Sequence, residues 1–362
     1  MAQAITAEHV AIARPVCEPP PIPRPRRAAT AGDLLEVGTR LGPWRIGEAL
    51  GRGGMAAVYA AVHASFGEQL AIKVAHRSLL GQQYTPEMFL REARVASMVP
   101  HPGVVQMLSS GTQGDRPYIL MEKLSGATVG KKLAKHALPR AEAIDILLEL
   151  CDILRATHKA GVVHRDLKLD NVFVVDAPYD GDRRVKLLDW GVAYVEHEPD
   201  PFRGLIAGTL TYVAPEQIRG EVLTGACDVY SLAVIAFQLL CGRPPFAASS
   251  DLKLVHMHLR TPPPRPRTAW PQAPEALDEL LYAMLAKHPK QRPSLDEVIR
   301  VLEEARDEIA PVRRRAVTAV PVFPPVDVLG RAALPLPVPF GAAWIGLAIT
   351  VAAFASLLSA LP

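Results

Sequence analysis

The segment HRDLKLDN at residues 164–171, followed by DWG at residues 189–191, decides how the fold of this chain is interpreted. It places a carboxylate, a lysine and an amide in one short run, with a second carboxylate downstream. Asp166 can accept a proton from a hydroxyl group, and Asn171 and Asp189 offer the hard oxygen ligands that Mg²⁺ prefers. These residue types in this order indicate phosphoryl-transfer chemistry.

The same segment resembles the catalytic loop and the metal-binding loop of eukaryotic-type protein kinases, whose pattern is H-R-D-x-K-x-x-N followed by D-F-G. Trp190 stands where the family has phenylalanine, and Leu169 stands where it usually has proline. H-R-D alone is a weak signal. The interpretation therefore depends on whether the other family motifs occur in order.

Two upstream motifs occur in the expected order. LGRGGMAAVY at residues 50–59 resembles the glycine-rich phosphate loop, with Ala56 in place of its third glycine, and AIKV at residues 71–74 resembles the strand that carries the ATP-binding lysine. Glycines allow backbone N–H groups to approach phosphates without a Cβ in the way. The resemblance implies that ATP is contacted by Leu50, Gly51, Gly53, Gly54, Val58, Ala71, Lys73, Glu122 and Leu124.

Helix C and the hinge are also matched. FLREA at residues 89–93 makes Glu92, by resemblance, the glutamate that pairs with Lys73. A carboxylate partner would hold the flexible lysine against the α- and β-phosphates. MEKL at residues 121–124 would be the hinge, which offers backbone groups to adenine.

The downstream motifs complete the set. They are GTLTYVAPE at 208–216, DVYSL at 228–232, GRPPF at 242–246 and QRP at 291–293. Resemblance makes Arg292 the buried partner of Glu216. Chance matches to all these motifs would also have to occur in the family's order along residues 40–308. The ordered set therefore identifies the family far more specifically than any single motif does.

The expected fold class is α+β, a two-lobed protein kinase fold with a small antiparallel β lobe containing helix C and a larger, mainly α lobe. Helix C is expected at residues 86–98, and residues 229–241 are apolar nearly all round, as in a buried helix. The strand-like runs of the small lobe are 44–49, 57–62, 70–74, 106–110 and 118–122.

The resemblance implies an ATP-dependent protein serine/threonine kinase, because Lys168 belongs to the Ser/Thr pattern. The implied catalytic residues are Asp166, Lys168, Lys73 and Glu92. Asn171 and Asp189 are the expected ligands of Mg²⁺, with Mn²⁺ as an alternative. The competing hypothesis is a pseudokinase scaffold, which only Trp190 and Ala56 support.

Composition limits the remaining possibilities. A formal net charge of +3 in 362 residues implies no strong field for nucleic acid. The four cysteines show no disulfide framework, which favours a reducing cytosol. The expected partners are protein substrates with Ser or Thr acceptors, the membrane, and a second copy of the chain in a homodimer; no nucleic acid is expected.

The two ends of the chain differ from the kinase-like region. Residues 1–38 are proline-rich without an apolar signal region, and we expect a disordered linker, with a proline-recognition motif as the alternative. Residues 309–339 are Pro-rich and basic, and we expect them to form a juxtamembrane linker. Residues 340–361 are apolar and, at ~1.5 Å per residue, span about 33 Å against ~30 Å of bilayer hydrocarbon.

The C-terminal stretch is therefore expected to be a single transmembrane helix. The alternative is a helix packed on the large lobe. Arg313, Arg314 and Arg315 precede the span, so the positive-inside rule predicts a single-pass membrane protein with a cytoplasmic kinase domain.

Two further expectations follow, and the first concerns the acidic residues of the activation segment. Residues 191–207 contain no Ser or Thr but carry Glu196, Glu198 and Asp200. A carboxylate there could partly replace the charge of a phosphate opposite Arg165, so activation would not need phosphorylation of this stretch. One alternative is that the acids belong to a solvated loop. Another is phosphorylation at Thr209 or Thr211, although the family pattern gives Thr209 a structural role beside the catalytic base.

The second expectation concerns Trp190 and Ala96. In the kinase family the aromatic residue of D-F-G packs beneath helix C, against a side chain one turn after the paired glutamate. That position is Ala96 here. A larger ring facing a smaller partner conserves volume, which packed cores tolerate best. The alternative is that Trp190 points elsewhere.

Overall fold

A six-stranded antiparallel sheet begins the fold. The computed structural model describes residues 33–80, 85–176, 184–202, 205 and 208–310. The strands are β1 (Arg40–Leu41), β2 (Trp44–Arg52), β3 (Ala56–His63), β4 (Gln69–Ala75), β5 (Met107–Gln113) and β6 (Arg116–Glu122), in the order β1-β2-β3-β4-β6-β5. The sequence predicted each of these strands except β1.

Alternation along β4 directs Lys73 towards the helix that covers the sheet. Ile72 lies in the core cluster on one face, and Ala71 and Ala75 lie in the cluster on the other face, which includes Phe89 of helix α1 (Pro86–Ser97). Successive side chains of a strand point to opposite faces. Lys73 therefore shares the α1 face, between two small alanines.

Helix α1 is the predicted helix C. Thr85 caps it by accepting a hydrogen bond from the N–H of Met88 at 3.4 Å, and proline occupies the first helical position, where it loses no helical hydrogen bond. The buried residues recur at helical spacing, and they are Phe89, Glu92, Ala93, Val95 and Ala96. Glu92 is thus carried on the buried face.

The described chain begins before the predicted domain boundary. The carboxylate of Asp33 accepts hydrogen bonds from Ser78, from its N–H at 3.0 Å and its hydroxyl at 2.7 Å, and the N–H of Leu35 donates to the Tyr59 hydroxyl at 2.9 Å. The prediction of disorder up to residue 38 is therefore wrong for residues 33–38. The proline-rich composition of the segment stops at Pro25, and the leucines that follow pack on the small lobe.

The second part of the fold is mainly helical. Its helices are α2 (Val129–Lys135), α3 (Arg140–Lys159), α4 (Pro215–Arg219), α5 (Ala226–Cys241), α6 (Asp251–Arg260), α7 (Glu275–Met284) and α8 (Leu295–Ile309). Short strands pair as β10-β9-β7 and β11-β8, and they are β7 (Gly126–Thr128), β8 (Val162–Val163), β9 (Val172–Val175), β10 (Val185–Leu187) and β11 (Tyr194–Val195). The predicted α+β, two-lobed architecture is confirmed.

Helix α5 lies at the centre of the large lobe. Its residues from Cys227 to Phe237 are all buried, as the apolar sequence predicted. Near its start, the guanidinium of Arg292 donates to both carboxylate oxygens of Glu216, at 2.6 and 2.8 Å, with both side chains inaccessible to solvent. The predicted buried pair is confirmed.

The sequence predicted a membrane-spanning helix near the C-terminus. Within the residues that the structure describes, no helix has the length and apolar character needed to cross a bilayer. The predicted helix at 340–361 lies outside those residues, as does all but the start of the predicted linker at 309–339.

Candidate active site

Lys73, Glu92 and Asp189 meet where the small and large lobes face each other. The Nζ atom of Lys73 lies 2.7 and 2.6 Å from the carboxylate oxygens of Glu92, and 3.2 Å from Oδ1 of Asp189. The predicted pair between Lys73 and Glu92 is confirmed. Its geometry holds the ammonium beside the carboxylate of the D-W-G segment.

Electrostatic interactions keep the side chains of Lys73 and Asp189 charged. Burial alone would lower the pKa of Lys73, but Asp189 and Glu92 together raise that pKa well above its usual value. Burial would raise the pKa of Asp189, yet Lys73 and Lys168 hold it below the usual range. At neutral pH the lysine is therefore a cation and Asp189 an anion, as phosphate and metal binding require.

Asp228 anchors the catalytic loop. Arg165 has a φ of 68°, in the left-handed region that a non-glycine residue adopts at a cost of about 1–3 kcal/mol. The buried carboxylate of Asp228 accepts hydrogen bonds from the N–H groups of His164 at 2.9 Å and Arg165 at 3.0 Å, and it contacts the ring of His158 at 2.9 Å. These contacts hold the strained backbone in place.

Asp228 belongs to the DVYSL motif, from which no role for it was predicted. The available signal was a single carboxylate at the start of an otherwise apolar helix. A buried charge in such a place needs partners, and here the backbone of the catalytic loop supplies them.

The carboxylate of Asp166 is held by several donors. Its Oδ1 atom accepts from the N–H of Thr209 at 2.9 Å and from the Thr209 hydroxyl at 3.1 Å, and its Oδ2 atom lies 2.5 Å from Nζ of Lys168. Gly208 has a φ of 114°, and a Cβ there would lie 2.9 Å from the carbonyl oxygen of Arg165. Glycine at this position therefore lets Thr209 approach the acid.

Asn171 and Asp189 fit a Mg²⁺ site. The amide nitrogen of Asn171 donates to the main-chain oxygen of Asp166 at 2.8 Å, which leaves its amide oxygen for another ligand. The Asp189 side chain is 36% exposed. Within the described part of the chain no group of three or more His, Cys, Asp or Glu side chains could hold a metal. Mg²⁺ is commonly held by one or two protein oxygens together with substrate phosphates and water, so these two donors suffice.

The glycine-rich turn joins β2 to β3. A Cβ on Gly51 would meet no protein atom within 4 Å, so packing within the chain does not require glycine there. The N–H of Gly53 donates to the carbonyl of Ala56 at 2.9 Å, and the ring of the buried His76 contacts the carbonyl of Gly53 at 3.0 Å. The methyl group of Ala56 is buried in the core cluster under α1, which turns it away from the loop surface.

An apolar surface lies beneath this turn. Val58, Leu124 and Leu188 pack on the cluster that contains Ala71 and Met121. Such a surface suits the flat face of a nucleotide base. The resemblance predicted Val58, Ala71 and Leu124 as nucleotide contacts but not Leu188, which directly precedes the D-W-G segment.

The remaining predicted nucleotide contacts are Glu122, Leu50 and Gly54. The side chain of Glu122 accepts from Nζ of Lys186 at 2.9 Å and from the N–H of Gln106 at 2.8 Å, and the N–H of Glu122 donates to the carbonyl of Gln106 at 3.0 Å. These groups are therefore engaged within the chain and not left for a ligand. Leu50 lies at the end of β2 and is 42% exposed. Gly54 lies in the turn that follows β2.

Trp190 is completely buried. Its ring lies edge-on to the ring of His164 with centroids 4.9 Å apart, and it shares a core cluster with Ala96. Among the described residues, no hydrogen-bond partner is found for its indole N–H. The direct contact between Trp190 and Ala96 stays a prediction.

We expect Trp190→Phe alone to lower the free energy of unfolding by about 1 kcal/mol. The smaller ring leaves a cavity, which destabilises the fold. The loss is at the lower end of the range for such a cavity because the change also removes a buried N–H group that has no partner among the described residues. Ala96→Leu alone should overpack the site and displace α1. The double variant should recover much of both losses in a double-mutant cycle measured by chemical denaturation. Strict additivity would show that the two side chains do not touch.

Comparison with known proteins is consistent with this geometry. Residues 44–301 match the family model described as the protein kinase domain. The chain is 39% identical over 280 residues to serine/threonine-protein kinase Pkn1 of Myxococcus xanthus, an alignment that covers 75% of this chain and 39% of that protein. It is 32% identical over 302 residues to serine/threonine-protein kinase PknA of Mycobacterium tuberculosis, covering 79% of this chain and 68% of PknA.

A third relative is serine/threonine-protein kinase PknB of Mycolicibacterium smegmatis, 30% identical over 311 residues, with 82% of this chain and 49% of PknB covered. The chain thus spans less than half the length of Pkn1 and PknB. The similarity covers the region that contains every catalytic, nucleotide and metal residue discussed above.

Proposed function

The chain belongs to the protein kinase family, among the bacterial Hanks-type serine/threonine kinases, and we propose that it transfers the γ-phosphate of ATP to Ser and Thr hydroxyl groups of protein substrates. The observation that carries this proposal is the simultaneous assembly of the Lys73–Glu92 pair, the Asp189 carboxylate and the Asp166 carboxylate.

The arrangement gives each residue a chemical role. Asp166 orients the acceptor hydroxyl and takes its proton, and Lys168, within 2.5 Å of that carboxylate, neutralises charge on the transferred phosphate. Lys73, fixed by Glu92, holds the α- and β-phosphates. Positioning and electrostatic stabilisation account for most of the catalysis of phosphoryl transfer, so the value of these residues lies in their mutual geometry.

Members of this family use ATP with a divalent metal ion, and we propose Mg²⁺ here, with Mn²⁺ as the alternative. Asn171 and Asp189 would hold it through hard oxygen atoms. Held by these residues, the ion would supply positive charge that offsets the negative charge developing on the phosphates.

The test of acceptor chemistry is phosphoamino-acid analysis. The purified chain is incubated with γ-labelled ATP, Mg²⁺ and a generic basic protein, and the labelled product is hydrolysed. Phosphoserine and phosphothreonine are expected. Phosphotyrosine as the main product would contradict the Ser/Thr assignment while leaving kinase activity intact.

The second candidate function is a pseudokinase scaffold. Trp190 and Ala56 motivated it, but the Trp190 ring is buried and the Ala56 methyl group points into the core. This arrangement favours an active enzyme.

We further propose that residues 340–361 anchor the kinase to the membrane as a single-pass helix, with the catalytic domain in the cytoplasm and a role in signalling. The support comes from the sequence: no charged residue occurs between Ala332 and Pro362, and Arg313, Arg314 and Arg315 lie on the predicted cytoplasmic side. Homodimer formation stays a prediction.

Removing residues 336–362 should move the protein from the membrane fraction to the soluble fraction and leave its specific activity towards a basic protein substrate unchanged. The reason is that the kinase fold is complete at α8, which ends at Ile309. Fractionation and a kinase assay measure the two effects separately. Aggregation or unfolding of the truncated protein would instead indicate that the segment covers core surface.

A further inference from the structure

Asp200 forms a paired, buried contact with the arginine of the H-R-D segment. The Nη1 and Nη2 atoms of Arg165 lie 2.9 and 2.6 Å from the two carboxylate oxygens, and both side chains are largely buried. The N–H of Phe202 also donates to Asp200 at 3.0 Å. A guanidinium binds a planar carboxylate and a phosphate through the same two-pronged geometry. A carboxylate of the chain itself therefore occupies two donors of Arg165 that could otherwise bind a phosphate.

A second carboxylate ties the same segment to helix α1. Glu198 accepts from both Nη atoms of Arg94, at 2.7 and 2.6 Å. One turn earlier, Nη1 of Arg91 donates to the carbonyl of Ala193 at 2.7 Å. Arg91 and Arg94 flank Glu92 in the helix, so both contacts act on the element that carries the partner of Lys73.

The charges explain why the acids are needed. Burial and the neighbouring Arg94 lower the pKa of Arg91, and Glu198 and Asp200 oppose that effect. Burial would raise the pKa of Asp200, but the hydrogen bonds and charge of Arg165 keep it below its usual value. Without the two carboxylates, three guanidinium groups would stand close together with uncompensated charge.

We propose that Asp200 and Glu198 are positioning residues that act as a built-in substitute for activation-segment phosphate, holding Arg165 and helix α1 in the active arrangement. This inference rests on the proposed kinase function. The stretch from residue 191 to 207 has no Ser or Thr to be phosphorylated, so the charge is encoded in the sequence.

The two contacts should not contribute equally. Arg165 and Asp200 are 6% and 14% exposed at their side chains, whereas Arg94 and Glu198 are 51% and 32% exposed. Exposed ion pairs are screened by solvent and contribute little, whereas loss of a buried partner leaves an uncompensated charge. Asp200 is therefore the dominant residue of the two.

Of the three acids that the sequence singled out, Glu196 behaves differently. Its side chain has no ion-pair partner among the described residues, and its N–H donates to the carbonyl of Gly161 at 2.8 Å. Glu196→Gln is therefore a matched control that removes a neighbouring negative charge without breaking a contact to an arginine.

The experiment compares Asp200→Asn, Asp200→Glu and Glu196→Gln in the full-length chain. Asp200→Asn should lower kcat about 10- to 100-fold while the Kd for ATP changes little, because the nucleotide contacts remain. Asp200→Glu should recover part of the loss, since it restores a carboxylate, and Glu196→Gln should match the wild type. Thermal unfolding confirms that each variant is folded.

Phosphatase treatment supplies the second arm. Wild-type protein whose dephosphorylation is verified by intact mass should keep its activity. The proposal is overturned if that treatment abolishes activity, or if folded Asp200→Asn retains wild-type kcat. A wild-type chain that binds ATP and transfers no phosphate would contradict the proposed kinase function instead, so the two failures are distinguishable.

A charge exchange tests the contact to helix α1. Arg94→Glu and Glu198→Arg should each reduce kcat, by less than Asp200→Asn, and the double variant should restore much of the activity because the pair is re-formed with reversed polarity. A double variant as impaired as the sum of the single variants would show that this pair does not position the helix.

Discussion

Asp166→Asn lowers the rate of phosphate transfer by about 10²- to 10⁴-fold, the range expected when a general base is removed. Asparagine has nearly the same shape and keeps an oxygen that can accept the hydrogen bonds of Thr209, so the loop should stay folded. It cannot take a proton from the acceptor hydroxyl. The Kd for ATP should change little, because Asp166 is not among the predicted nucleotide contacts.

The measurement is kcat in a radiometric assay together with the Kd for ATP in the presence of Mg²⁺. A matched control is Asp176→Asn, which removes an exposed carboxylate after β9 and should leave kcat unchanged. Equal activity of Asp166→Asn and wild type would mean that another group accepts the proton.

Arg292→Ala should lower the free energy of unfolding by about 3–5 kcal/mol, because it leaves the carboxylate of Glu216 buried without its partner. Arg292 also donates to the carbonyl oxygens of Ala226 at 2.7 Å and Ala286 at 3.0 Å. The change therefore removes the hydrogen bonds to these two carbonyls as well as those to Glu216. Chemical denaturation followed by tryptophan fluorescence measures the loss.

Two further variants separate charge from shape at this pair. Arg292→Lys keeps the charge but not the paired donors, so it should be intermediate between wild type and Arg292→Ala. Combining Arg292→Met with Glu216→Gln removes both charges and should destabilise less than Arg292→Ala alone. A double variant less stable than Arg292→Ala would contradict the view that the unpaired charge causes the loss.

The pairs that the sequence predicted correctly are those fixed by motif order. The resemblance to the kinase family predicted that Lys73 of β4 pairs with Glu92 of α1. The structure agrees with it, because the alternation of β4 and the helical spacing of α1 place the two side chains on facing surfaces. Glu216 and Arg292 were likewise predicted because each belongs to a separate recognisable motif.

The contacts that the sequence did not predict lie in loops and depend on tertiary structure. Nothing in the composition of the activation segment distinguishes Asp200, which meets Arg165, from Glu196, which does not. The contact of His76 with the glycine-rich turn joins residues that are far apart in sequence, and so does the contact of Asp33 with Ser78. Such contacts follow from how the elements pack, which no local pattern specifies.

The most direct test of the central claim is phosphate transfer by the wild-type chain. The purified full-length protein is mixed with γ-labelled ATP, Mg²⁺ and a basic protein substrate, and ATP binding is measured on the same preparation. We expect ATP binding with label transferred to Ser and Thr residues, and no comparable transfer by Asp166→Asn. Intact ATP binding with no transfer above that of Asp166→Asn would contradict the account and identify the chain as a pseudokinase.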